Sequence, residues 1–424
     1  IGRTVVPLDL FPASVIESIA VQKTYSPNLL GEFGGGAIEI RSIGIPDDRY
    51  KRRLRTRVNT SIGYQAGVSF EEHLSVVPGR FDWAGFDDGS RKLPDEVPED
   101  KYVQRRQSSI GFDKLPEEEV AEIGKSMTGR WVPEERTIPP NYSGSVSVRD
   151  KIELGESRSF GYNGAISFGS SWNHFDDRQR NKYEKSGLAV SYDVTSTTQN
   201  VDASMLLDLA YQHNQDFELE ATSLAIRATD AEAQSYEGKH SDNSLDIWVR
   251  EQEWVEQTLL NQSLRGTLGL GILNQADFTW QYAFSYAKRY EPDHRYVQYQ
   301  DDDQNLNDFN YDNARLFQRG PQAAQRWWSS VDDFIHDGQV ELEIPIHWFN
   351  DQTADYLDVG LHAMSQSRDT RTRRFYFDAQ DAPPGLLKGS PDELFAEDNI
   401  GFDDSAGEFI DFSEATLTSD NYEG

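Results

Sequence analysis

The feature that most limits what this chain can fold into is a series of nine alternating stretches whose connections are by turns short and long. Period-two alternation puts successive side chains on opposite faces of a strand. The stretches fall at about 54–66, 142–149, 160–172, 201–211, 217–228, 258–270, 278–286, 338–346 and 356–367, the last running on toward 375. In the fourth, Val201, Ala203, Met205, Leu207, Leu209 and Tyr211 oppose Asp202, Ser204, Leu206, Asp208 and Gln212. In the seventh, Phe278, Trp280, Tyr282, Phe284 and Tyr286 oppose Asp277, Thr279, Gln281, Ala283 and Ser285. The fifth loses its alternation near Thr222, which predicts a bulge. Pro345 stands near the end of the eighth, where a missing donor is tolerated. Residues 378–424 read as irregular.

Short turns around Gly155, His213–Asp216, Gly271–Gln275 and Phe349–Ala354 fall at one end, and the long connections at the other. That asymmetry predicts an antiparallel up-and-down sheet of the outer-membrane barrel kind. A soluble sandwich has more evenly spaced turns and Greek-key crossings. One face of each stretch is apolar and aromatic-tipped; the other carries groups such as Arg55, Asn59, Asp202, Asp208 and Gln281. Burying such charges at a bilayer midplane costs up to roughly 2–4 kcal/mol each, so the polar faces are expected to point inward.

Composition narrows the classes further. Hydrophobic residues make up 37% of the 424 positions, too few and too dispersed for a membrane-spanning helix. A barrel strand needs only about 9–11 residues, every second one apolar, so the same figure is compatible with a barrel. There is no cysteine, which removes disulfides and thiolate metal sites. A net charge of −31 opposes nucleic-acid binding through phosphates. His213, His240, His294, His336 and His347 are scattered without metalloprotease spacing, and no nucleophile elbow or phosphate loop is present. No catalytic residue, cofactor or metal ligand is therefore assigned, and the chain is not expected to be an enzyme. The run Asp301–Asp308 places oxygens like a calcium loop but has Leu306 where glycine is needed and Asp312 where a bidentate glutamate is expected. A solvated acidic loop is the favoured reading; a weak divalent bridge to lipopolysaccharide is the alternative.

The N-terminal stretch has a different pattern. Residues 18–24 and 37–41 read as short strands, with Pro27, Gly31 and the triplet Gly34, Gly35, Gly36 between them. The strand Ile16-Glu17-Ser18-Ile19-Ala20-Val21-Gln22-Lys23, followed by Phe33-Gly34-Gly35-Gly36 and Ala37-Ile38-Glu39-Ile40-Arg41, resembles the C-terminal half of the plug domain of TonB-dependent outer-membrane receptors. Trp83-Ala84-Gly85-Phe86-Asp87-Asp88-Gly89-Ser90-Arg91-Lys92-Leu93-Pro94 is similar to a signature in the first long loop of one receptor subgroup. The run from Asp358 to Phe375 resembles the ninth barrel strand of the same family.

The resemblance implies a mainly β fold: residues 1–46 as the end of a small α/β plug, and 47–424 as the first part, about nine strands, of a 22-stranded transmembrane β-barrel. It further implies residence in the cell outer membrane, among outer-membrane lipid and lipopolysaccharide, and active uptake of a small molecule or oligosaccharide. Ferric siderophores, haem, cobalamin and glycans are the substrate classes. The TonB complex of the inner membrane would be the partner that supplies work, through a contact box outside this sequence. Glu17, Lys23, Phe33, Gly34, Gly35 and Gly36 carry the plug motif. Trp83, Asp87, Asp88 and Arg91 are the candidate substrate contacts, Trp83 by stacking and the others by hydrogen bonds. The residues themselves favour a self-folded loop in which Asp87 or Asp88 pairs with Arg91. Two other classes stay open: a passive or structural outer-membrane barrel, and a secreted soluble β-rich glycan-binding protein.

Overall fold

The computed structural model describes residues 16–24, 37–42, 54–99, 101–104, 115–185, 187–214, 216–240, 245–272, 275–301, 310–312, 314–317, 323–346, 355–379, 382, 385, 387–401 and 410–423. In chain order the elements are β1 (Ile16–Gln22), β2 (Ala37–Ser42), β3 (Arg55–Gly63), β4 (Glu72–Ser75), α1 (Glu117–Ser126), β5 (Glu134–Thr137), β6 (Asn141–Glu153), β7 (Arg158–Glu184), β8 (Gly187–His213), β9 (Phe217–His240), β10 (Leu245–Gly269), β11 (Asp277–Asp301), β12 (Ala314–Leu316), β13 (Ala324–Ile346), β14 (Asp355–Asp378), α2 (Pro391–Leu394) and β15 (Asp411–Glu423). Strands β1 and β2 form an antiparallel pair. The large sheet runs β3-β6-β7-β8-β9-β10-β11-β13-β14-β15, with β12 added to β11 and every pair antiparallel. It is the expected up-and-down meander. None of the described helices is long and apolar enough to cross a membrane.

Register keeps one parity on one face across the sheet. Val58, Val146, Ile166, Met205, Ala225, Leu260, Tyr286 and Phe334 form a single row of directly paired residues. Ile166 and Met205 in that row are 56% and 47% exposed, whereas their chain neighbours Ala165 and Leu206 on the other face are 6% and 4% exposed. The sheet therefore has an open face, apolar in the half nearest the short turns, and a sheltered face. The sheltered face is mostly polar and self-satisfied: Asn59 donates to Ser145 Oγ at 3.2 Å, Ser167 and Ser204 share a 2.6 Å bond, and Asn163 donates to Asp208 at 3.0 Å.

Three expectations need correction. Strands β7 to β11, β13 and β14 run 23–27 residues, so they extend well past the alternating stretches and take in residues 289–301 and 324–326 of the long connection between the seventh and eighth stretches. Residues 411–423 are not irregular but form a tenth sheet strand on β14. Thr222 lies in unbroken register with both neighbours, so there is no bulge. The alternation switches there because Leu224 and Ile226 turn to the sheltered face, where Leu224 packs on Ala165 and Leu206.

The described residues of the long segment between β3 and β6 include α1 and the β4–β5 pair. They cover the open face of the half-sheet farthest from the short turns. Val68 and Ile138 pack on Trp172, and Leu74 and Val76 on Trp254. Ile123, Met127 and Trp131 of the segment enter the largest core among the described residues, with Tyr299, Leu316, Phe375, Phe377, Phe395 and Phe412.

On the open face, Gly266 pairs with Trp280 and the indole lies across the glycine, so a Cβ there would run into the ring. Gly144, in the same face, has no atom nearer than 3.9 Å to such a Cβ. Gly266→Ala is expected to cost about 1–3 kcal/mol in denaturant unfolding, by overpacking. Gly144→Ala is expected to be tolerated.

Candidate functional site

Two constellations carry the concentrated polar chemistry. The first is the 82–91 loop. A single 3-10 turn at Asp82–Ala84 ends on Gly85, whose φ of 75° suits glycine. Gly85 O accepts from Thr229 Oγ1 at 2.8 Å and Arg227 Nε at 2.9 Å, which fastens the loop to β9. The buried Arg91 guanidinium grips Asp82 with both terminal nitrogens, at 2.9 and 2.7 Å, and also reaches Asp87 at 3.1 Å and Val77 O at 2.8 Å. It lies 4.2 Å from the Trp254 ring centroid. Burial works against the Arg91 charge, but Asp82 and then Asp87 outweigh it and raise its pKa. Asp88 accepts from Ser90 and Arg80 backbone amides, and the Ser90 and Arg80 bonds hold its carboxyl down at about 2. The Asp87 amide donates to Glu256, which pairs with Arg227.

Of the four candidate substrate contacts, Arg91, Asp87 and Asp88 thus hold the loop together, with Asp82 as the principal partner of Arg91. Trp83 stands 62% exposed. The whole loop lies against the open face. Of the plug-motif residues, Glu17 falls at the register shift between Ile16 and Ser18, and Lys23 is exposed just past β1. Phe33, Gly34, Gly35 and Gly36 lie outside the described residues. So do residues 302–309, most of the calcium-like run.

The second constellation was not legible in the sequence. On the sheltered face, past the apolar rows, β11 carries one residue more than either neighbour: Glu291 pairs with Ser329 and His294 with Trp327. The extra residue follows from Glu291-Pro292-Asp293-His294, where proline cannot join the ladder and Asp293 adopts φ 52°. The bulge puts Glu291 and His294, three apart, on one face; regular alternation would part them. Asp293 turns the other way and is clamped by Arg326 at 2.6 Å through both oxygens, and by Arg295.

Around His294 the network is closed on several sides. Nδ1 lies 2.8 Å from Glu291 Oε1, and Nε2 lies 2.8 Å from Glu251 Oε1. Glu251 also takes the Tyr236 hydroxyl. Glu291 accepts from Arg289 at 2.6 Å and Trp327 Nε1 at 2.9 Å. The Trp327 ring is stacked on His294 at 3.5 Å between centroids, with Arg374 4.8 Å from the same ring. Glu253 completes the set: ligand atoms of Glu253, Glu291 and His294 lie within 4.8 Å of one another. Burial alone would raise Glu291, but the bonds from His294 and Arg289 bring it down to about 2. Burial would lower His294, but Glu251 and Glu291 raise it. Glu253 is raised by burial and by the two neighbouring carboxylates.

Three further indoles are packed into the core. Trp131 is packed by Phe377 and Phe395, Trp248 by Tyr299 and Tyr311, and Trp328 by Phe375. Compared with protein-family models, curated proteins and solved structures, the chain shows no match.

Breaking the Arg91–Asp82 pair leaves a buried carboxylate without its partner, at a cost of about 3–5 kcal/mol. Arg91→Met is expected to open the 64–104 segment to limited proteolysis, and Arg91→Lys to rescue little because the grip is bidentate. For His294 the folded pKa is above its ordinary 6.5, so its stabilisation is complete below that pH and is lost as pH rises through the raised value. His294→Gln is expected to remove that alkaline-side fall in the unfolding midpoint, measured by denaturant titration across pH.

Proposed function

We propose that this chain is part of a TonB-dependent receptor that takes up a scarce or bulky substrate across the outer membrane. The observation that carries the reading is the one-sided apolar belt of an up-and-down antiparallel sheet. Val58, Val146, Ile166, Met205 and Phe334 stand exposed on one face, near the short turns, while the opposite face is mostly polar and sheltered. In water such a belt is unfavourable; against lipid it is the face a barrel wall needs. About 9–11 residues suffice to cross a bilayer, so strands of 23–27 residues leave more than half their length beyond it. That projecting half is where the folded 64–140 segment and the acidic cluster of β10 and β11 lie. Trp83, exposed beside the top of the belt, suits the water–lipid boundary, where amphipathic rings are favoured.

The plug assignment rests on the motif in residues 16–41, to which the β1–β2 pairing adds an antiparallel register. A wide barrel leaves a channel unless its lumen is filled, and a filled lumen needs work to open. The TonB complex is the partner proposed to supply it.

The test is uptake by cells that carry the complete receptor, with and without a working TonB complex. Loss of uptake of the receptor's substrate on deleting that complex is the expected result. Uptake that persists unchanged would identify a passive barrel instead, and recovery of the protein from the soluble fraction without detergent would identify a soluble β protein.

A further inference from the structure

We propose that Glu253, Glu291 and His294 bind one first-row divalent cation of borderline softness, with Zn²⁺ the best fit, on the sheltered face beyond the apolar belt. The donor set is one imidazole nitrogen and two carboxylates from adjacent strands, which is the chemistry such ions take. Ligand atoms within 4.8 Å of one another are slightly too far apart for bonds of about 2.0–2.2 Å to a single ion. Glu253, whose side chain is 31% exposed and paired with Arg289 at 3.7 Å, is the ligand that moves to close that gap.

The surroundings are what a metal-binding histidine requires. Glu251 engages Nε2 at 2.8 Å and is itself engaged by the Tyr236 hydroxyl. A carboxylate on the far nitrogen fixes the tautomer and directs the other nitrogen at the ion. Here that other nitrogen is Nδ1, and it points at Glu291. The ring cannot turn away, because Trp327 is stacked against it. The Glu291 carboxylate is likewise held by Trp327 Nε1 at 2.9 Å, and in the ion-free cluster it also takes Arg289 at 2.6 Å. Arg289 is also 3.7 Å from Glu253, and it is exposed enough to swing aside when the ion enters. Three protein ligands leave a coordination position on the sheltered face for a water or a further ligand.

The competing account is a histidine that only bridges Glu251 and Glu291, with no ion. Titration calorimetry of the purified full chain with ZnCl₂, after stripping with EDTA, separates the two. One ion per chain is expected, with binding weakened at least tenfold by Glu253→Gln and by His294→Gln. Glu251→Gln, which removes only the outer carboxylate, is expected to weaken binding by about 10–100-fold. Glu253→Gln keeps the fold because that side chain is at the cluster's edge, so it decides the matter if His294→Gln does not fold. The chain's net charge of −31 attracts cations non-specifically. Absence of stoichiometric binding, or binding that Glu253→Gln leaves unchanged, would overturn the site.

Discussion

Register across the antiparallel ladder is the constraint on which everything else depends. From β3 to β13 one row of directly paired residues passes through Val58, Ile166, Met205, Leu260 and Phe334 without a change of face. A one-residue slip in any strand would carry its apolar set to the sheltered side and its Ser, Asn and Asp residues to the open one. The sheet is thus two-sided in a way no single strand could be. Among the described residues, the open face has no partner layer in its turn-ward half, and the long connections cover it only farther along.

In that farther half buried charge is added to the apolar contacts of the covering segment. Arg91 ties the first long segment to itself through Asp82 and Asp87. Arg373 does the same between β14 and β15. It grips Glu414 at 2.7 and 2.8 Å and donates to the carbonyls of Pro98 and Lys101, while Glu414 accepts the Val103 amide. Arg326 grips Asp293 and reaches Met127 O. Each guanidinium presents a fork of donors that one carboxylate and one or two loop carbonyls satisfy together. Long irregular chain is thus fixed to the strand surface by these forks together with the apolar core beside them.

The alternating stretches were legible because, near the short turns, one face is apolar and the other polar. Beyond them the signal fails for a physical reason. There Val201 and Trp254 pack under the covering segment on one face, while Val194, Tyr236, Ile247 and Val249 pack together on the other. With apolar residues on both faces the period of two disappears, and the strand continues unseen. Strand β15 escaped notice because it is largely polar and its buried Glu414 is matched by an arginine, which no hydrophobic pattern records. The His294 cluster was hidden by the alternation rule itself, which separates residues 291 and 294. Pro292 in an otherwise strand-like run was the one available sign of the bulge that unites them. The Asp87–Arg91 pairing, by contrast, could be read from the loop residues alone, though the main partner, Asp82, could not.

The central claim is that the open face meets lipid. The chain has no cysteine, so single cysteines can be placed along β8 and spin-labelled without background. Labels at positions 203 to 208, in the protein reconstituted in bilayers, would be read for oxygen and water-soluble relaxant accessibility. The account predicts a period of two, with oxygen contact high at 203, 205 and 207 and low at 204, 206 and 208. Equal accessibility at all six positions, or contact with the water-soluble relaxant at 205 and 207, would contradict it.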